Sequence, residues 1–285
     1  MNTVKNQGFL SPVPDFRDHI FGSATTKLKG KELTDGHWAD FLPFNEKQLS
    51  SYSDTFFDTF GCVLYATENC LQILQRFLFK IEQEYSERFL AVVSNSTPEG
   101  NDPKTVAQAI RENGLLPYNY LPFDDSIDSW QKWASPKPML QWLKDEAKNF
   151  TAKYKIGYER VVGTLPIHIK EALKYSPLAV SVPAWFERDG KYYAPKGVPH
   201  GHLTCLMDYV DNEYFLILDS YPPFIKKLEW DFPFEFVMRY SLQPNTDLSI
   251  LQQIVNAIAK LIPIFSFLVK KKIEQPIIPI DETPP

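Results

Sequence analysis

Cys62 directly follows Gly61 and opens the apolar, helix-periodic run "GCVLYATENCLQIL". A thiolate, not a thiol, attacks carbonyl carbon, and a helix N-terminus or a neighbouring imidazolium favours that charge. Position supplies the first. The second must come from His19, His37, His168, His200 or His202, the five histidines of the chain. His168 reads as a surface residue beside Lys170 and Glu171, and His19 and His37 fall in irregular sequence. His200 and His202 open a strand, "HGHLTCLMDYV", in which alternation sends Thr204 and Leu206 to the face of His202. The next strand ends in "ILDSY", so Asp219 can reach the second ring nitrogen, giving a nucleophile, a base and an acid that orients the base. Taken alone, a cysteine after glycine at a helix start is more often a small buried hydrophobe than a nucleophile.

Other readings of these residues lead elsewhere. Cys70, about two turns beyond Cys62, and Cys205, in mid-strand, read as core thiols. His200 and His202 alternate onto one strand face, yet no cysteine or acid pair completes a ligand set, so neither metal nor organic cofactor is expected. Three cysteines imply no disulfide framework and fit a reducing compartment.

A net charge of −5 and scattered basic residues argue against nucleic acid as a partner; "KKK" at 270–272 is too short for a binding arm. The 44% apolar and 23% charged composition excludes wholesale disorder. The N-terminus has no apolar leader core, and the best 20-residue window, 250–269, contains Gln252, Gln253, Asn256, Lys260 and Pro263. A soluble, cytoplasmic protein is expected, with membrane contact disfavoured.

Several elements must position the three residues. Leu64, Leu71, Leu74, Phe77, Leu78 and Ile81 recur at helical steps, predicting an amphipathic helix from Cys62 to about Glu84. A helix over 103–113 has Asp102 to cap it, Pro103 in its first turn and Gly114 after its end. Another covers roughly 137–153. Strand patterns then take over: "YKIGYERVVG", a short helix with Thr164 as cap, "LAVSVPAW", a hairpin through "ERDGKYY", "HLTCLMDYV", a turn at Asp211-Asn212, "EYFLILDSY" and "FEFVMRYSL". Helices first and an antiparallel sheet second predict an α+β fold of two lobes. Residues 1–36 read as an extended segment over the surface, 37–150 as the helical lobe and 151–245 as the sheet lobe. An amphipathic helix follows at 246–270 and a Pro-rich tail at 271–285. That helix can dock on its own domain, meet a protein partner or lie on a membrane.

With these residues in place the chain resembles the papain-like cysteine peptidases, the C1 family, and in particular short bacterial and phage-type members without a propeptide. "SPVPDFRDHIF" resembles their N-terminal segment, "FDTFGCVLYATENCLQIL" the nucleophile segment, and "SERFLAVVSNSTPEGNDPKTVAQAIRENGLLPYNYLPF" the stretch along the substrate edge. "IKEALKYSPLAVSV…HGHLTCLMDY…EYFLILDSY" resembles the histidine and third-residue segments. The 140 residues between Cys62 and His202 lie inside the about 130–150 of papain and the cathepsins. A family tyrosine seven residues after the histidine is matched by Tyr209 counted from His202, which selects His202 over His200.

The resemblance implies a papain-like two-lobed fold, helical lobe plus antiparallel sheet or barrel, over about residues 9–242. It implies peptide-bond hydrolysis through a Cys62 acyl-thioester, with His202 as base and acid and Asp219 orienting it. Gly100 becomes a backbone contact for an extended polypeptide, or for a peptidoglycan stem peptide, and Gln48 the oxyanion donor. The family glutamine stands six residues before the cysteine, where this chain has Phe56; Gln48 stands fourteen before. Val63 and Tyr221 replace tryptophans, and Asp219 replaces an asparagine. An alternative from another class is a papain-like scaffold without turnover, serving assembly or binding, for instance in a phage particle, through the 246–270 helix.

Overall fold

The computed structural model describes residues 7–15, 18–23, 28, 30–42, 49–50, 57–124, 126–134, 139 and 141–246. Gln48, the helix read from 247 onward and the Pro-rich tail lie outside them. The helical lobe holds α1 (Cys62–Phe79), α2 (Glu87–Val93), α3 (Pro103–Asn113), α4 (Trp130–Ala134) and α5 (Gln141–Lys153). Short strands β1 (Gly8–Phe9), β2 (Leu49–Ser50), β3 (Phe57–Asp58) and β4 (Gly100–Asn101) border it.

The sheet lobe contains β5 (Tyr154–Arg160), α6 (Pro166–Leu173), β6 (Leu178–Pro183), β7 (Phe186–Arg188) and β8 (Lys191–Tyr193). It continues with β9 (His200–Val210), β10 (Tyr214–Leu218), β11 (Ile225–Glu229) and β12 (Val237–Pro244). Its strand order is β5-β12-β6-β9-β10-β11-β8-β7, antiparallel throughout except where Leu228 of β11 meets Tyr192 of β8 in parallel. This is the α+β, two-lobed architecture expected of the sequence.

Local chemistry sets most element ends. Asp102 accepts from the backbone N–H groups of Lys104 and Thr105, each at 3.0 Å, and Gly114 leaves α3 at φ 81°. Asp189 and Gly190 take positive φ and close the β7–β8 hairpin, as Asn212 does between β9 and β10.

Three expectations need correction. The first helix stops at Phe79, short of Glu84, because Lys80 turns left-handed and its N–H bonds Arg76 O. That helix is also not a surface amphipath. Every residue from Cys62 to Gln75 is buried, since α2, α3, β9 and β12 surround it. Thr164 does not cap α6; Leu165 holds the cap position without a side-chain bond, and Pro166 fills the first turn.

The N-terminal segment is extended but is bonded into the molecule. β1 pairs in parallel with β4, Ile20 bridges Arg160, and the Leu33 N–H donates to Lys174 O at 2.7 Å. Its described parts thus touch both lobes.

Candidate active site

Cys62 sits at the first position of α1, after a turn that the sequence builds residue by residue. Phe60 adopts φ 50°, with its N–H donating to Asp58 Oδ1 at 2.9 Å, and the Gly61 N–H donates to Thr59 Oγ1 at 3.2 Å. Gly61 is required for space: a Cβ there would lie 2.9 Å from the Trp133 ring. The helix runs 18 residues behind the thiol, so the partial positive charge of its N-terminus falls on the sulfur.

His202 enters from the sheet lobe near the start of β9, opposite Val182 of β6. β10 pairs Leu218 with Cys205, and one further step along that register sets Asp219 beside Thr204, on the face of His202. His202 Nε2 and Asp219 Oδ1 are 2.6 Å apart, and both side chains have no exposed surface. The other ring nitrogen, Nδ1, is buried and has no partner within strict hydrogen-bond geometry; Cys62 acts on the ring by its charge and as a looser hydrogen-bond partner.

Burial drives the proton affinity of His202 down. The charges of Asp219 and Cys62, with a hydrogen bond to each, outweigh burial and raise its pKa to about 10. Burial likewise pushes Asp219 up, and the His202 and Lys226 charges with their hydrogen bonds bring it below the usual carboxylate value. Imidazolium and carboxylate are therefore the paired states.

The linkage follows from those directions. The stabilisation carried by charged His202 is complete below its unfolded value of about 6.5, and it is lost as pH rises through about 10. Asp219 contributes above about pH 3.9 and loses its contribution as pH falls through its depressed folded value. Urea titrations of a His202→Gln variant are expected to lose the decline in stability between about pH 6.5 and 10 that the parent shows. Equal slopes for the two proteins would contradict the assignment.

Aromatic and charged groups wall the pair. The Tyr221 ring lies 5.1 Å from His202, and its hydroxyl donates to Asp58 Oδ2 at 2.7 Å, tying the turn before Cys62 to the loop after Asp219. Trp185 meets His202 edge-on at 6.1 Å. Lys226 Nζ donates to Asp219 Oδ2 at 2.6 Å.

Gly100 is buried, at φ 112°, and it already contacts an extended strand: the chain's own. Gly8 and Gly100 approach so closely that a Cβ on Gly100 would lie 1.9 Å from Gly8 O. A Cβ on Gly8 would in turn lie 3.1 Å from Cys62 Sγ and 2.5 Å from Phe60 O. The Leu10 N–H donates to Asn101 O at 2.9 Å, and the buried Phe9 ring packs 5.6 Å from Phe236. Cys62 has no exposed surface beneath this strand.

The structure thus brings Cys62, His202 and Asp219 together, with Gly100 linked to Cys62 through Gly8, while Gln48 is outside the described residues. Cys70 and Cys205 are buried and free, with their sulfurs 3.5 Å apart between α1 and β9. His200 bonds Ser181 Oγ at 3.0 Å, a different partner from that of His202. His37 pairs with Asp208, toward the other end of β9. Sequence reading missed Lys226 and Gly8. Lys226 was legible in one respect: alternation in "IKKLE" puts it in phase with Leu228, a lysine on the apolar face. Gly8 carries no comparable signal.

No family model and no curated protein matches the chain. Solved structures do. Xylellain, a cysteine protease from Xylella fastidiosa, aligns at TM-score 0.59 and 15% identity over 83% of this chain and 96% of that one. A cysteine protease of Carica candamarcensis, in complex with E-64, aligns at TM-score 0.53 and 14% identity, covering 72% and 96%. Digestive procathepsin L 3 of Tenebrio molitor larval midgut aligns at 0.52 and 10%, covering 79% and 73%. The chain has the papain-like cysteine-protease fold. No helix among the described residues is long and apolar enough to cross a membrane.

Proposed function

We propose that the protein is a cysteine peptidase that hydrolyses extended polypeptides through an acyl-thioester on Cys62. One observation carries this reading. The buried His202 ring is fixed through Nε2 by Asp219, while its buried Nδ1 has no partner in strict geometry and the ring responds to Cys62 through charge and a loose hydrogen bond. A core histidine satisfies both nitrogens; one that passes a proton to and from a substrate leaves a nitrogen for it.

The steps balance as follows. The Cys62 thiolate attacks the peptide carbonyl, and the tetrahedral oxyanion forms near the N-terminus of α1, where backbone N–H groups face outward. His202 imidazolium gives its Nδ1 proton to the leaving amine, and the C–N bond breaks to leave a thioester. Neutral His202 then takes a proton from water as the oxygen adds to the thioester. Collapse releases the acid and restores the thiolate–imidazolium pair. Gly100 offers its backbone to an extended chain, the role that β1 fills against β4.

Incubation with a mixed peptide library in H₂¹⁸O tests the reaction class. New C-termini carrying ¹⁸O should appear with the parent protein and be absent with Cys62→Ala. No cleavage by a variant whose first ten residues have been removed, with Cys62 accessible to alkylation, would overturn the proposal.

A further inference from the structure

The reaction above does not use Lys226, and its surroundings are unusual for a lysine. Its side chain is 3% exposed, yet its ammonium makes three short bonds, to Asp219 Oδ2 at 2.6 Å, Tyr221 O at 2.6 Å and Pro223 O at 2.7 Å. These use all three of its protons. It also lies 5.3 Å from the centre of the Trp185 ring and 5.7 Å from that of Tyr192. Asp219 therefore stands between two cations, with Oδ1 on His202 and Oδ2 on Lys226.

A fully buried carboxylate left alone with an imidazole would either take up a proton or hold the imidazolium proton too firmly to release. A fixed ammonium on its second oxygen opposes both outcomes, keeping the carboxylate ionised while offsetting part of its charge. Asp219 and Lys226 together form a neutral, polar unit that accepts a bond from His202, as an amide carbonyl would.

We propose that Lys226 is a positioning residue for the Cys62–His202 pair, forming with Asp219 a charge-neutral unit that orients His202 and limits how tightly it holds its proton. The proposal rests on the peptidase reading for its consequence in turnover, but not for its physical content. The other groups acting on the pair are Cys62 from α1, Tyr221 with Asp58 behind it, and Tyr192 from β8, on which Glu187 and Asp219 act. Burial weakens the hold of Lys226 on its own proton, and the Asp219 charge and hydrogen bond offset that.

The test follows the His202 ring by NMR in the parent, Lys226→Met and Lys226→Arg proteins across pH 5–11, beside the pH dependence of peptide hydrolysis. Loss of the ammonium should move the His202 titration to higher pH, by about one unit for a tenfold change in its proton equilibrium. It should move the acid limb of activity, set by protonation of Asp219, upward as well. Lys226→Arg, which keeps the charge, should leave both midpoints in place even if its bulk slows turnover. Asp219→Asn alone strands a buried ammonium, so Asp219→Asn/Lys226→Met should be more stable and more active than Asp219→Asn. That comparison decides the matter even if Lys226→Met alone folds poorly. An unmoved His202 titration in Lys226→Met, or a double variant no better than Asp219→Asn, reduces Lys226 to a loop fastener. The NMR readout survives failure of the peptidase reading, so the two can be told apart.

Discussion

A His202→Ala variant is expected to hydrolyse peptides at least about 1,000-fold more slowly than the parent, in line with the loss of a positioned acid and base. Cys62→Ala should lose the reaction altogether. The two losses should not multiply, because neither residue completes the covalent step without the other. The effect should fall on kcat, since His202 is buried and contributes no surface to hold substrate. Circular dichroism and urea titration at pH 6 separate this from unfolding. A variant that retains the parent's far-ultraviolet spectrum and cooperative transition yet loses turnover supports the assignment. A folded variant that keeps more than a tenth of the parent rate removes His202 from the reaction.

Deleting residues 1–10 is expected to raise the reactivity of Cys62 toward a peptidyl electrophile about 10- to 1,000-fold. β1 pairs with β4 at Gly100, and Gly8 lies against the sulfur, so a substrate strand proposed to bind Gly100 would have to displace β1. Access then requires a minor state in which the strand has left. A minor state of about 0.1–10% population sets the size of the gain when the strand is removed. Gly8→Ala tests the same contact without shortening the chain. Its φ of 110° and the 2.5 Å approach to Phe60 O leave no room for a methyl group, so β1 must lift. Phe9 is 7% exposed, and some stability should be lost with it. Unchanged Cys62 reactivity in both variants, with the fold retained, would mean that β1 is a structural strand and not a barrier.

The sequence made much of this site legible because its parts obey local rules. Asp102, Pro103 and Gly114 bound α3 where capping chemistry places them, and Gly61-Cys62 opens α1 at its first residue. His202 and Asp219 meet because strand alternation and a short turn at Asn212 bring consecutive strands into register. What stayed hidden depends on distant chain segments. α1 reads as amphipathic from the helical spacing of Leu64, Leu71, Leu74 and Phe77, yet between them stand the polar Glu68, Asn69, Gln72 and Gln75. Tertiary enclosure buries all four, and Gln75 accepts from the Tyr85 hydroxyl at 2.9 Å. The parallel pairing of Gly8 with Gly100 spans 92 residues, and no pattern in a two-residue strand announces it. Lys226 could be seen on an apolar face, but its partner Asp219 emerges only once the loop through Pro223 folds back to bring the two together.

A thiolate–imidazolium pair of Cys62 and His202 would show itself in the alkylation rate of each cysteine in the folded protein. Peptide mass spectrometry from pH 4 to 9, on the protein lacking residues 1–10, resolves the three thiols. Burial and the neighbouring Cys205 push the Cys70 thiol well above its usual value, so Cys70 serves as the inert internal control. Cys62 alone is expected to react fast in the acidic half of the range, and His202→Ala to remove its advantage over Cys70 and Cys205. A Cys62 that reacts no faster than those two, with the N-terminal strand gone, would contradict that pairing.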